Sequence, residues 1–214
     1  WFPLRFIGGF TSAIVFVLAS SIVLDYLFQS NKVMLGGMIY SGVGIGIIFS
    51  GSFAPLFNSI WNWQGAWIGL GIISFSLAIL VWKWLREDSR HTIQQPKSTI
   101  QATSHRKSYL FWLILAYGFE GFGYIITGTF LVTIVERITL SPFYASCSWI
   151  IVGIAVIPSS YLWSTVARKY GPTRALTSAY MLQIISVLSP LLIPNLFGAF
   201  LSAFLLGATF VGIT

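Results

Sequence analysis

Charged residues are scarce in this chain of 214 residues: Asp, Glu, Lys and Arg make up 8% of it, against roughly 25% in soluble globular domains. Acidic residues are the scarcest, with five Asp and Glu against twelve Lys and Arg. Hydrophobic residues, in contrast, reach 56%. This composition excludes a soluble globular domain and indicates an integral membrane protein.

The chain has a single cysteine, and it lacks the sequence patterns of known catalytic sites. Cys147 is the single cysteine, which excludes an internal disulfide and a CxxC metal site. His91 and His105 have no partner at metal-ligand spacing, and the HExxH, GxSxG and GxxxxGK[ST] patterns do not occur. We therefore predict no catalytic residues, no metal and no cofactor, and a membrane enzyme is a distant third hypothesis.

Long apolar runs dominate the rest of the sequence. Several reach the roughly 20 residues that a helix needs to cross a bilayer, whereas a β-barrel would show short alternating segments. The predicted fold class is an all-α integral membrane protein, a polytopic helical bundle with seven transmembrane helices. The predicted spans are residues 4–28, 34–56, 61–82, 109–135, 142–166, 173–193 and from 196 onward. The expected breaks fall near Ser30 and Asn31, after Pro55 around Asn58, at Glu136 and Arg137, and at Pro194 and Asn195.

The polar interval 83–108 is the one long stretch unsuited to hydrocarbon. It contains six basic and two acidic residues, so it accounts for +4 of the formal charge of +7. A second basic group, at 168–174, is separated from it by two spans and must lie on the same side. The positive-inside rule then places loops 86–108 and 168–174 in the cytoplasm, and this explanation of the basic excess leaves no need for nucleic acid.

Glu120 is the sharpest functional candidate because a carboxylate within a span costs several kcal/mol and normally faces a bundle interior or a water-filled cavity. Tyr117, Tyr124 and Thr127 share its helical face. An apolar environment favours the neutral form of a carboxylic acid, so Glu120 is suited to bind a proton. Hydrogen bonding to a polar substrate and a purely structural carboxyl are the alternatives.

Arg5 is the second candidate, because an arginine in an apolar segment must find a carboxylate, carbonyls, water or the interface. Its alternative is a side chain that extends to the membrane surface. The chain starts at Trp1 without an initiator Met and stops at Thr214 within an apolar run, so we interpret it as an internal fragment of a longer protein.

Small residues recur at helical spacing and predict close helix packing or flexing. Pro158 is expected to interrupt the fifth span, with the hydroxyls of Ser159 and Ser160 satisfying the freed backbone group. The predicted packing or gating positions are Gly42, Gly46, Ser50, Gly121, Gly123 and Pro158. A second glycine series has a spacing of seven residues, at Gly37, Gly44 and Gly51. Small residues also share a helical face at Gly8, Gly9, Ser12 and Ala13 in the first span and at Ala199, Ala203 and Gly207 in the last.

Several of these segments resemble the major facilitator superfamily (MFS) of secondary transporters, and more narrowly its YbfB/YjiJ-like branch. Residues 5–9 (RFIGG) resemble the R-x-x-x-G motif of the fourth helix, and 40–46 (YSGVGIG) the glycine-rich fifth helix. Residues 121–126 (GFGYII) are similar to the seventh-helix signature. Residues 167–171 (ARKYG) with Arg174 resemble the basic loop motif, of which Arg168, Lys169 and Gly171 are part, although Arg168 stands where that motif has an acid.

The resemblance implies the fourth to tenth of twelve helices, in two six-helix bundles. Residues 1–85 would then be the last three helices of the first bundle, 86–108 the cytoplasmic central loop, and 109–214 the first four helices of the second. It further implies a monomeric secondary transporter in the inner or plasma membrane, moving a small organic solute by alternating access, with protons as the expected coupling ion. The alternative is a non-transporting membrane sensor or scaffold on the same fold.

Overall fold

The computed structural model describes residues 2–29, 33–85 and 104–213, and every regular element in this part of the chain is helical. Helix α1 covers Phe2–Gln29, a 3₁₀ helix covers Val33–Tyr40, and α2 covers Ser41–Leu85. Helices α3, α4, α5 and α6 cover Ser104–Thr139, Pro142–Tyr170, Pro172–Leu192 and Leu196–Ile213. Six of the described helices are long and apolar enough to cross a membrane, which confirms the predicted all-α membrane class.

The predicted number of seven spans is not confirmed, because the second and third predicted spans belong to one element, α2, of 45 residues. A straight helix of that length would extend about 68 Å, more than twice the hydrocarbon thickness. Pro55 lies inside this helix and does not end it. The backbone leaves the helical conformation at Trp61 and Asn62 instead, where Asn62 has φ 56° and ψ −164°.

Contacts on the two sides of this break show that α2 folds back on itself. A Cβ atom built on Gly69 would lie 2.7 Å from the ring of Phe57, and one built on Gly65 would lie 2.6 Å from the Phe57 carbonyl oxygen. In a straight helix, Phe57 and Gly69 would be about 18 Å apart along the axis. The arms before and after Trp61 therefore lie side by side near the turn, and glycine permits this approach.

Two other predicted breaks are also displaced. Glu136 and Arg137 are still within α3, and the chain turns at Leu140, which has φ 53°, and Ser141. The last five residues of the predicted central loop, 104–108, belong to α3 as well. The predicted turn at Ser30 and Asn31 and the interval 86–103 lie outside the described residues.

The described chain divides into two compact units, of which the first comprises Trp1–Ile48 with Trp149–Thr214, and the second Phe49–Ser148. In the first unit α5 and α6 pack together, and the Asn195 side chain caps the start of α6 by accepting a hydrogen bond from the Gly198 N–H at 3.0 Å. Ala199 and Ala203 are fully buried, and a methyl group on Gly207 would collide with the Val152 carbonyl of α4. The predicted small-residue packing of this helix is confirmed.

Side chains of this first unit also bond the main chain of neighbouring helices. The Ser186 hydroxyl donates to the Ser202 carbonyl of α6 at 2.8 Å, and Trp163 Nε1–H donates to the Ala208 carbonyl at 2.6 Å. The Ser41 hydroxyl of α2 donates to the Ile157 carbonyl of α4 at 3.1 Å. Within a bilayer such bonds link helices that have no hydrophobic driving force to associate.

Pro158 does not interrupt α4, which continues through it to Tyr170. The expected role of the two following serines is wrong, because the hydroxyls of Ser159 and Ser160 are buried and have no hydrogen-bond partner among the described residues. Pro158 itself is exposed. A proline ring on the outside of a membrane helix removes one backbone bond without placing its ring against a neighbouring helix.

Candidate functional site

Glu120 lies on the packed face of α3. Its side chain is 7% exposed, and the other buried described side chains of this helix are Leu131 and Val135. Steps of 11 and 15 residues bring these positions to within about 60° of Glu120 around the helix axis, so all three share one face. A carboxylate therefore stands on the same side of α3 as its apolar packing residues.

Tyr124 and Thr127 continue this face toward Leu131, and both are half-buried. Glu120 and Tyr124 are four residues apart, about one turn of the helix, and so are neighbours on this face. The Thr127 hydroxyl donates to the Gly123 carbonyl at 3.3 Å, which leaves its oxygen able to accept a bond. Tyr117 is 45% exposed and lies at the edge of the face. The four polar residues predicted to share a face therefore form a carboxyl, phenol and hydroxyl stripe along α3.

Three glycines, Gly118, Gly121 and Gly123, are close to Glu120 in the sequence. A Cβ on Gly118 or Gly123 would meet nothing within 4 Å, and one on Gly121 would lie 3.9 Å from the Tyr124 ring. The described residues thus make no close helix contact at Gly121 or Gly123, where the sequence predicted packing.

The opposite face of α3 is apolar. A groove on this side is lined by Phe111, Ile114, Leu115, Gly118, Phe119 and Phe122. Phe119 and Phe122 are more than two-thirds exposed. Helix α3 thus has one polar, packed face and one apolar, open face, as expected of a membrane helix beside a polar pathway.

Arg5 lies in the first turns of α1 and is exposed. A Cβ on Gly8 or Gly9 would meet nothing within 4 Å, so the small-residue face of α1 contacts no described helix closely. Arg5 belongs to the first unit and Glu120 to the second. The surroundings of Arg5 and of Glu120 are therefore described separately, each within its own unit.

In the arm of α2 before the break, Gly44 makes a close contact, two residues from the positions that the first series predicted. A Cβ on Gly44 would lie 2.7 Å from the Gly153 carbonyl oxygen of α4, whereas Gly42 and Gly46 have nothing within 4 Å. Ser50 is half-buried, and Gly51 is buried. The glycine series with a spacing of seven residues contains Gly44 and therefore indicated this contact. Its partner on α4, Gly153, was not predicted.

The basic turn between α4 and α5 is a single residue long. Arg168 and Lys169 lie in the last turn of α4, which ends at Tyr170. Gly171 connects the helices, and Pro172 begins α5 with Arg174 in its first turn. The three cations are exposed, and Lys169 Nζ lies 5.2 Å from the centre of the Tyr170 ring. Gly171 adopts φ 91° and ψ 151°, a region that only glycine occupies without strain.

Gly171→Ala is expected to destabilise the protein by about 1–3 kcal/mol, the usual cost of a residue held in this backbone region. Thermal unfolding of the purified protein in detergent measures the loss. The matched control is Gly118→Ala, a helical position with open surroundings, where alanine is expected to leave the unfolding temperature unchanged or raise it. Equal unfolding temperatures for the two variants would contradict the assigned conformation of Gly171.

Among the described residues no group of three or more His, Cys, Asp and Glu side chains is arranged to hold a metal ion. The carboxyl, phenol and hydroxyl groups on the face of Glu120 are hydrogen-bonding groups, and the carboxyl group can also bind a proton. A polar face that includes an ionisable group within long apolar helices is typical of polytopic membrane proteins that handle ions or polar solutes.

Comparison with known families places the chain within that class. The family described as "uncharacterised MFS-type transporter YbfB" matches residues 1–214, and the chain belongs to this family of MFS transporters. No curated protein and no solved structure matches the chain. The suspected family is thereby confirmed, and the protein is a multi-pass membrane transporter.

Proposed function

We propose that the protein is a proton-coupled secondary transporter that moves a small organic solute by alternating access, with Glu120 as the proton-binding group. The observation that carries this proposal is the burial of Glu120 on the packed face of α3. Secondary transporters bind substrate and coupling ion near the bilayer midplane, on polar groups that face away from lipid.

Glu120 has the chemistry that coupling requires. A carboxyl group in a membrane interior can be neutral or charged, and the two forms differ in their free energy by several kcal/mol. Binding of a proton therefore changes which arrangement of the surrounding helices is favoured. Tyr117, Tyr124 and Thr127 supply hydrogen-bonding groups for the solute along the same helix, and Arg5 supplies a second polar group in the pathway.

The proposed architecture follows that of the superfamily. Residues 1–85 and 109–214 belong to two bundles, and residues 86–108 connect them on the cytoplasmic side of the cell membrane. The protein works as a monomer, because in this scheme each chain contains its own pathway between the two bundles.

Reconstituted vesicles test the proposed activity. An imposed pH gradient is expected to drive accumulation of at least one solute from a panel of small organic acids, amines and neutral metabolites, and collapse of the gradient by an ionophore is expected to stop it. A sensor or scaffold on the same fold would move none of these solutes under any gradient. Solute flux that is identical with and without the gradient would exclude proton coupling while leaving transport in place.

Labelling of single cysteines is expected to show the proposed orientation. Because Cys147 is the sole cysteine, Cys147→Ser provides a background for Lys169→Cys and Asn195→Cys. In intact cells a membrane-impermeant maleimide is expected to label position 195 and to label position 169 only after permeabilisation. Labelling of position 169 in intact cells would reverse the assignment.

A further inference from the structure

The first unit contains a cavity that takes no part in the proposed transport site. Its volume is about 410 Å³, which is within the range of ligand pockets in proteins. The end of α1, the 3₁₀ helix, α4, α5 and α6 all contribute to its walls. Leu24, Leu176, Val211 and Ile213 make much of the wall apolar.

Ser160 provides a polar group on this wall that the protein does not use. Its side chain is 8% exposed, and its hydroxyl has no hydrogen-bond partner among the described residues. The other hydroxyl and indole donors of α4 at the cavity are engaged, since Ser164 donates to the Tyr161 carbonyl and Trp163 to the Ala208 carbonyl. Ser160 is therefore a buried hydroxyl on the cavity wall that has no acceptor among the described residues.

Basic residues lie within two positions, along the sequence, of the residues that line one end of the cavity. Ala167 and Pro172, on the two sides of the basic turn, line it, and Arg168, Lys169 and Arg174 are their exposed neighbours in the sequence. The sequence contains no Asp or Glu after Glu136. Within two positions of a lining residue the sequence has three cations and one carboxylate, Asp25, which leaves two positive charges in excess.

We propose that this cavity binds one anionic phospholipid. The phosphate is held by Arg168, Lys169 and Arg174, the Ser160 hydroxyl donates to an ester carbonyl deeper in the cavity, and the start of an acyl chain covers the apolar wall. Ser160 and Ala167 are about 10 Å apart along α4, so the charged and the hydroxyl groups are at different depths. Inorganic phosphate shares the charge but would leave the apolar wall and Ser160 without a partner.

Native mass spectrometry of the full chain in a neutral detergent tests this site. Dioleoylphosphatidylglycerol is expected to bind at about tenfold lower concentration than dioleoylphosphatidylcholine, because basic clusters beside membrane helices attract anionic headgroups. Replacing all three cations (Arg168→Gln, Lys169→Gln and Arg174→Gln) is expected to remove that preference. Ser164→Trp, which puts an indole into the cavity from an exposed lining position, is expected to weaken binding of the anionic lipid by a similar factor.

The control replaces two exposed cations elsewhere in the described chain, Lys83→Gln with Arg137→Gln, and is expected to keep the preference. Ser160→Ala, a change of one atom, is a second cavity variant whose folding is not at risk, and it is expected to weaken binding. Equal binding of the two lipids, equal losses in the cavity variants and the control, or displacement of the lipid by inorganic phosphate at the same concentration would overturn the proposal. The outcome is independent of transport, since Glu120 belongs to the other unit.

Discussion

Glu120→Gln is expected to abolish proton-driven solute accumulation while expression and unfolding temperature stay at the wild-type level. Glutamine has nearly the shape of the protonated acid and can still form hydrogen bonds, but it cannot bind or release a proton. The stability should survive because the buried group remains polar and of equal size, whereas coupling requires the change of charge. Solute-induced proton movement in vesicles, recorded with a pH-sensitive dye, measures the effect.

Glu136→Gln is the matched control for this experiment. Glu136 lies on the same helix, α3, but is exposed near its end, so its replacement is expected to leave transport and its pH dependence unchanged. Tyr124→Phe is expected to give an intermediate result, because it removes the phenol hydroxyl about one helical turn from Glu120. Wild-type transport with wild-type pH dependence in Glu120→Gln would disprove the role of this carboxyl group.

Gly153→Leu is expected to destabilise the first unit by about 2–3 kcal/mol, at the upper end of the cost of overpacking. A Cβ at this position would lie 2.8 Å from the Gly44 carbonyl oxygen and 2.9 Å from the Ile48 amide nitrogen. Both are backbone atoms, so a rotamer change cannot relieve the contact and the helices must separate. Thermal unfolding in detergent should show a decrease of roughly 5–10 °C for a chain of this size.

Gly46→Leu controls for the general effect of leucine at a glycine of a membrane helix. Gly46 is close in sequence to Gly44, and its Cβ would meet nothing within 4 Å. We expect an unfolding temperature at or above that of the wild type, since leucine has the higher helix propensity. If Gly153→Leu and Gly46→Leu unfold at the same temperature, α2 and α4 do not approach each other at Gly44 and Gly153.

The helical class and the apolar spans could be predicted from the sequence because hydrocarbon admits helices wherever about 20 apolar residues follow one another. The ends of the helices could not be predicted equally well. Pro55 was expected to end a helix and Glu136 to lie in a turn, but both are helical. A membrane helix tolerates proline, and a charged residue near its end can reach the interface, so neither residue fixes a break.

The burial of Glu120 followed from the cost of placing a carboxylate in lipid, which is large enough to decide the orientation of α3 without knowledge of its neighbours. The contact at Gly44 did not follow in the same way. Gly42, Gly44 and Gly46 are identical in type and differ by about 200° per step around the helix, so only the position of α4 selects among them. Residue type therefore predicts the polar face of α3, whereas the position of α4 determines which face of α2 is packed.

The bonds that connect the helices of the first unit have a further consequence for measurement. Ser41, Trp163 and Ser186 donate neutral hydrogen bonds to main-chain carbonyls, and these side chains do not titrate at physiological pH. These connections should therefore be insensitive to both acidity and ionic strength. A change of transport rate with pH would therefore have to come from other, ionisable groups, of which Glu120 is the proposed one.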